Sequence, residues 1–445
     1  MAAWGDYERR FWCHSIRKSF LSALYGIGVA EGKIDLQKTL ADLKIDDQPP
    51  GAPALTDLEK TAKVVDLLKS CSGIYLPAAY EGIAPKPPRG QFAPGSFWFY
   101  NNWDFNVLGV IYEKETQAGI FDRFKQQIAD PIQMEDYRAR DGYYYYELDK
   151  STHPAYPFRM SARDMARFGL LFLRNGKWNN QQIVPSDWVK ESTRSYSKTS
   201  SHENSGYGYL WWVTESGRFQ GMISAHGAGG HSIDIIPGEK LVFVQRVDTF
   251  AKKSVDDPQR LTLLGMLLDA RVSKPHALPK LKPLQVLPPK VEAQNLDPDL
   301  LTKYVGKYGS EGDITVQITM EGETLVLRDP QSGAFGLISI SATRFLAEDR
   351  LSPVSFELDS SRRFFRAINT RVCSSKFIDK ELDDLYTDSG HTVNVLNIFG
   401  KFYPCKVRWI TSGAPRLHQI LIFPLKEALP PPSLNKTPAK DWCFI

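Results

Sequence analysis

Ser15-Ile16-Arg17-Lys18-Ser19-Phe20-Leu21-Ser22-Ala23-Leu24-Tyr25-Gly26-Ile27 is the stretch on which the reading of this chain turns. It sets a hydroxyl and an amine three residues apart at the head of an apolar run, read as a buried helix over residues 13–30. That spacing brings both side chains onto one helical face. A serine hydroxyl becomes a useful nucleophile once a neighbouring base takes its proton, and a lysine kept unprotonated by an apolar surround can be that base. Two more Ser-x-x-Lys spacings, Ser195/Lys198 and Ser433/Lys436, lie in polar or Pro-rich sequence with no apolar helix behind them. They read as coincidence.

Two other segments offer matching chemistry. In Pro94-Gly95-Ser96-Phe97-Trp98-Phe99-Tyr100-Asn101-Asn102-Trp103-Asp104, Tyr100 precedes Asn102 by two residues on a loop that leads into a helix. The phenol can relay a proton and the amide can hold a carbonyl, although an aromatic loop packed on a core would carry the same residues. In Ala225-His226-Gly227-Ala228-Gly229-Gly230-His231, small residues at a strand edge let a substrate backbone come close and leave an N–H facing a developing oxyanion. Taken alone, that stretch reads more simply as a glycine-rich hairpin turn.

The chain has 445 residues, 55 Lys and Arg against 51 Asp and Glu, and 42% apolar content. That length exceeds one ordinary domain, and the composition is that of a folded core. A formal charge of +4, without a basic block interleaved with aromatics, argues against a nucleic-acid partner. The five cysteines, Cys13, Cys71, Cys373, Cys405 and Cys443, lack CxxC spacing and imply neither a zinc site nor a disulfide framework. No signal-peptide core and no membrane span is legible, so a cytoplasmic chain is expected as given, or a secreted or periplasmic one if an upstream segment is missing.

A Pro-rich linker over 273–295 divides the chain into residues 1–272 and a β-rich part over 296–445 that ends in an irregular tail. Within the first part, helices are expected over 57–70, Ser161 to Leu173 (capped by Ser161, with Asp164 three later) and Leu261 to Ala270. Strands are expected over Tyr207 to Val213, Phe219 to His226, His231 to Ile236 and Leu241 to Val247. Beyond the linker, 304–308, 314–320 and 324–328 read as hairpins, with a turn at Glu321-Gly322.

Taken in order, the three motifs resemble the serine β-lactamase and penicillin-binding-protein family. The likeness is nearest its class C β-lactamase-like branch, with its esterases and 6-aminohexanoate-dimer hydrolases. The resemblance runs over about residues 13–270 and is supported by Val65 to Gly73, Ser161 to Gly169 and Gly206 to Trp212. It implies an α+β fold: a β-lactamase/transpeptidase-like domain with an antiparallel sheet flanked by helices, and an all-helical region. Tyr304-Val305-Gly306-Lys307-Tyr308 resembles the small lipocalin-like β domain often appended to such hydrolases. By that likeness Ser15 is the nucleophile, Lys18 its proton acceptor and Tyr100 a second acid/base. Backbone N–H groups of Ser15 and Ala228 form the oxyanion hole, and Asn102, His226, Gly227 and Gly229 face the substrate. Neither metal nor cofactor is implied.

Two departures qualify the likeness. His226 stands where β-lactamases carry the lysine of Lys-Thr-Gly, which points away from a β-lactam carboxylate and toward an ester, amide or small peptide. Only 14 residues precede Ser15, where the family carries the first strands of its sheet. The expectation is therefore an incomplete sheet whose edge is open to a homodimer contact. The leading reading is a serine hydrolase working through an acyl-enzyme. The alternative is a weak or inactive relative that binds a peptide or ligand, and a third is a binding protein whose function lies after residue 296. Substrate choice is expected to lie in loops 75–95 and 137–157.

Overall fold

Residues 14–30 fold as one continuous helical segment in the structure, a computed structural model: a 3-10 turn over His14–Ile16, then helix α1 (Arg17–Ala30). It describes residues 2–3, 5–48, 54–82, 85–199, 205–270, 282–283, 291–308, 316–349, 351–358, 364–369, 392–396 and 402–406. No charged residue falls between Lys18 and Glu31, so α1 has no polar face to offer water and becomes the central helix. Phe20, Leu21, Leu24 and Tyr25 are fully buried.

The expected helix over 57–70 is two short pieces. A 3-10 turn, Glu59–Thr61, ends at an extended Ala62-Lys63, and helix α2 (Val64–Leu68) starts afresh. Two local side-chain caps cause the break. The Glu59 carboxylate accepts the Thr56 N–H at 2.8 Å, and Asp66 accepts the Lys63 N–H at 2.9 Å, so each piece is started by its own acid. Helix α3 (Asn102–Thr116) follows the Tyr100 loop with Asn101 as its cap, the side chain accepting the Trp103 N–H at 3.3 Å. Helix α4 (Ile120–Phe124) and helix α5 (Ala162–Leu173) enclose α1 with an aromatic cluster of Phe20, Phe124, Phe158 and Phe168. Ser161 caps α5 as its sequence implies, accepting the Asp164 N–H at 3.2 Å.

Strand β1 (Phe11–Trp12) pairs antiparallel with β2 (Arg159–Met160). The main sheet contains β3 (Ser197–Lys198), β4 (Ser205–Tyr207), β5 (Trp212–Thr214), β6 (Ile223–Gly227), β7 (His231–Ile236) and β8 (Leu241–Gln245). These run as an antiparallel meander in spatial order β8-β7-β6-β5-β4-β3, with Ile233 opposite Val244 and Ala225. Among the described residues β8 is a terminal strand of this sheet, so one of its edges carries no neighbouring strand. Gly169 of α5 lets that helix close on β7 and β8, since a Cβ there would lie 2.5 Å from Val242 Cγ1.

Two strand expectations shift. Tyr207 to Val213 is not one strand but the end of β4 and the start of β5, separated by Gly208–Trp211. The Ser22 and Ser19 hydroxyls of α1 donate to the Tyr209 and Leu210 carbonyls at 2.7 and 2.8 Å. They draw that segment out of the sheet and onto the central helix. Phe219 to Met222 is likewise a turn, and β6 begins at Ile223. The apolar helix expected over 261–270 is α6 if the short Ser186–Ser192 helix is set aside, and runs Asp257–Asp269, one turn longer at its N-terminal end.

The 273–295 linker and the tail lie almost wholly outside the described residues. After a short helix, Pro298–Thr302, a second antiparallel meander contains β9 (Gly306–Tyr308), β10 (Val316–Glu321), β11 (Thr324–Asp329), β12 (Gly333–Ser339), β13 (Arg344–Ala347), β14 (Pro353–Leu358) and β15 (Phe364–Asn369). Each strand pairs with the next in sequence, and Gly322 (φ +58°) makes the expected Glu321-Gly322 turn. Tyr304, Tyr308, Phe345 and Phe356 form its core, and Trp12 of β1 packs against it. A separate unit holds the hairpin of β16 (Thr392–Leu396) and β17 (Phe402–Lys406).

The second meander is fastened beside the segment that leads into Ser15 by a buried ion network. Arg10 donates through Nε to Asp349 at 2.8 Å and pairs with Glu348 at 2.7 Å and Asp141 at 3.3 Å. Arg159 pairs with Asp141 at 2.9 Å and lies 3.8 Å over the Phe335 ring. Glu348 and Asp349 form the turn between β13 and β14, so that turn holds the backbone that leads into Ser15.

Candidate active site

The backbone before Ser15 is turned sharply into helix α1. The Cys13 N–H donates to the Phe158 carbonyl at 2.7 Å, and His14 then takes a left-handed conformation, φ +47°. A side chain at positive φ costs about 1 kcal/mol or more, so the surroundings must hold it there. The His14 ring stacks on Tyr80 and His231 at centroid distances of 6.0 and 5.6 Å, and Nδ1 lies 2.8 Å from Tyr80 Oη. From the other side Gly227, the last residue of β6, closes on the same backbone. A Cβ at Gly227 would sit 2.3 Å from the Cys13 carbonyl oxygen, and only its absence lets the β6–β7 turn come beside Ser15.

Lys18 Nζ lies 2.9 Å from Ser15 Oγ and 2.6 Å from Tyr100 Oη, so one amine bridges the hydroxyl and the phenol. It sits 4.2 and 4.4 Å over the Tyr100 and Phe105 rings and is only 2% exposed. Burial first, and the adjacent Arg17 guanidinium second, hold its pKa well below that of a free lysine. Burial pushes the Tyr100 phenol up to about 12, with the Ser15 hydrogen bond and Arg17 opposing. Burial thus favours the uncharged form of each group, the amine of Lys18 and the phenol of Tyr100. Tyr100 stacks on Trp212 at 5.5 Å, which stacks on His226 at 5.9 Å.

Ser15 opens into a cleft of about 540 Å³. One part of its lining is Tyr100, Asn102 and the turn residue Ala228; a second is a wall of Tyr80, Glu81, Lys86, Tyr145, Glu147 and Lys150. The second wall comes from the two loops expected to govern substrate choice. Its carboxylates are already engaged: Glu81 pairs with Lys86 and Glu147 with Lys150, each at 2.7 Å. Asn102 Oδ1 is buried and has no hydrogen-bond partner among the described residues. By contrast Asn101 is fully committed, its Nδ2 donating to Ile74 O at 2.6 Å and Asp104 Oδ1 at 2.8 Å.

The remaining residues singled out from the sequence lie around this centre. His226 is half-buried behind Tyr100 and Trp212, its Nε2 3.7 Å from Asp234 Oδ1, and is not among the residues lining the cleft. Gly229 (φ +86°) makes the turn, with Thr249 close beneath it. Among the described residues no group of three or more His, Cys, Asp or Glu could hold a metal ion, and no helix is long and apolar enough to cross a membrane. His14, beside Ser15 in the chain, and Tyr80, Lys86, Glu147 and Lys150 carry no sequence signal of their own; only the fold brings the last four to the cleft.

The buried histidines give the site an acid sensitivity. Burial, then Arg246, Arg17 and Lys18, lower His14 to about 4, and burial lowers His231 as well. A histidine held neutral in the folded state contributes stability that is fully present above about pH 6.5, its unfolded value, and is lost as pH falls through about 4. His14→Asn keeps a residue that tolerates positive φ but does not titrate. Between pH 7 and pH 4 the native chain should lose more thermal stability than this variant; parallel melting curves would refute the assignment.

With this geometry established, the chain can be set beside known proteins. A family model described as Beta-lactamase matches residues 8–263. "Penicillin-binding protein 4*" of Bacillus subtilis (strain 168) is 23% identical over 308 residues, covering 62% of this chain and 65% of that relative, just under two thirds of its length. Among solved structures, the octameric penicillin-binding protein homologue from Pyrococcus abyssi is 18% identical, covers 82% of this chain and 88% of its own, and gives a TM-score of 0.42. A penicillin binding protein from Bacillus halodurans is 15% identical, covers 59% of this chain and 88% of its own, and gives 0.44.

Proposed function

The chain belongs to the Beta-lactamase family, and from that premise we propose that it is a serine hydrolase forming an acyl-enzyme on an ester, amide or small peptide. One observation carries the reading: a single buried amine within hydrogen-bond distance of both the Ser15 hydroxyl and the Tyr100 phenol. In this reading Ser15 Oγ attacks the substrate carbonyl as its proton passes to Lys18 Nζ. The carbonyl oxygen, now negative, accepts from the backbone N–H groups of Ser15 and Ala228. Collapse breaks the bond to the leaving group, which takes a proton from Tyr100, and Tyr100 is reprotonated by Lys18. Water then attacks the acyl ester along the same relay in reverse, giving the free acid and restoring Ser15.

Asn102 supports the part of this reading that concerns the substrate. An unpartnered buried acceptor at the cleft suits a ligand bearing an N–H, which favours amides and peptides beside simple esters. His226, 3.7 Å from Asp234, stacked on Trp212 and outside the cleft lining, is not placed to take a β-lactam carboxylate as a lysine would. The lipocalin-like reading of the second meander belongs with these proposals and is given no separate activity.

The test is chemical. A fluorophosphonate probe should add one adduct, mapped by mass spectrometry to Ser15, and a p-nitrophenyl ester should be hydrolysed faster than a chromogenic cephalosporin. An unlabelled Ser15 would overturn the mechanism. Efficient cephalosporin turnover beside a sluggish ester would overturn the substrate class alone.

A further inference from the structure

Between Ser15 and Lys18 stands a buried arginine that the motif does not name. Arg17 is 1% exposed, as deeply buried as any core residue. Its Nη2 donates to Asn106 Oδ1 of α3 at 3.0 Å, and its guanidinium lies 4.3 Å over the Tyr156 ring and 5.9 Å from that of Tyr80. Nε and Nη1 are buried without a hydrogen-bond partner among the described residues, and no carboxylate there pairs with Arg17. A guanidinium in that position is costly to bury, and a structural arginine elsewhere in this chain, such as Arg10 or Arg159, has its acids around it. Arg17 does not line the cleft, so a substrate anion is not its missing partner.

From this placement we propose that Arg17 is a positioning residue, whose buried and carboxylate-free guanidinium keeps Lys18 in its amine form, ready to take the Ser15 proton. The inference rests on the serine hydrolase reading above and extends it to a residue outside the proton relay. The two side chains are buried on the same turn of α1, and a cation held in that dry surround disfavours a second positive charge on the amine. The groups around them offer no compensation. Tyr100 from the loop before α3, Tyr80 and Tyr156 from the loops opposite, and His14 from the turn before α1 are all neutral, or neutral near pH 7. From α3 come Asn106, which is uncharged, and Asp104, whose carboxyl burial raises well above the usual carboxylate range and whose Oδ1 accepts from Ser72 Oγ and Asn101 Nδ2. From the sheet comes Arg246, a further cation acting on His14. Arg17 also stabilises the phenolate form of Tyr100, which adds to its effect on the relay.

The test follows the pH dependence of Ser15 labelling by a fluorophosphonate in the full chain. The variants are Arg17→Gln, Arg17→Lys, and Asn106→Asp, which sets a carboxylate against an unchanged Arg17. Removing or screening the charge should make Lys18 easier to protonate. The acid-limb midpoint should then move to higher pH by about one unit, a tenfold loss of labelling rate on the acid side, with the alkaline plateau kept. Arg17→Lys should retain the native midpoint. A midpoint is independent of how much of a sample is folded, and Asn106→Asp decides the matter should Arg17→Gln fail to fold. A native chain labelled at Ser15, with an unmoved midpoint in the charge-altering variants, overturns this inference alone. A native chain unlabelled at Ser15 withdraws the hydrolase reading and this one together.

Discussion

Ser15→Ala is expected to abolish acyl transfer, with kcat/KM falling by three orders of magnitude or more, roughly the loss seen when a nucleophile is removed from a catalytic set. The expectation comes from geometry rather than from the motif alone. Ser195 stands in the same spacing to Lys198, yet its hydroxyl donates to Glu215 at 2.6 Å, and among the described residues no amine bridges it to a phenol. Ser195→Ala should therefore leave the rate unchanged. Steady-state hydrolysis of a p-nitrophenyl ester measures both variants. Full activity in Ser15→Ala, or a collapse in Ser195→Ala, would move the nucleophile elsewhere.

Lys18 and Tyr100 are expected to behave as one unit. Lys18→Met and Tyr100→Phe should each cost on the order of a hundredfold to ten-thousandfold in kcat/KM, the range of general acid–base catalysis. The double variant should be scarcely worse than the poorer single one, because both groups serve the same proton through one 2.6 Å contact. Additive losses in a double-mutant cycle would mean that the two act at separate steps. Since the pair titrates together, the limbs of the pH–rate profile belong to the relay and not to either residue by itself.

Local chemistry was legible before any fold was known. Ser15 and Lys18 could be paired because helical spacing is a property of neighbours, and Ser161 could be placed as a cap for the same reason. Where a distant partner decides, the sequence was silent. The 207–213 segment has the composition of a strand, but hydroxyls on α1 take its carbonyls, and nothing near it announces Ser19 or Ser22. The 57–70 segment departs from its pattern for a different cause: its periodicity is helical, while Thr56/Glu59 and Lys63/Asp66 each start a piece of their own. Arg17 was hidden because an arginine is ordinarily exposed, and only the fold shows that it has been buried without an acid. The walls of the cleft could be assigned to two loops but not to residues, since loop conformation has no period to read.

The clasp between Arg10 and the β13–β14 turn also bears on how the molecule is made. Arg9 and Arg10 leave the ribosome well before Glu348 and Asp349, and at roughly 5–20 residues per second more than a quarter of a minute separates them. Throughout that interval the backbone ahead of Ser15 has Asp141 to answer Arg10 once residues 138–141 have emerged, but not the pair that later surrounds it. The nascent chain therefore carries its Ser-x-x-Lys helix for most of its synthesis without the brace that fixes its entry. Catalytic competence should arrive late and abruptly, with the second meander, rather than growing as the first domain is completed.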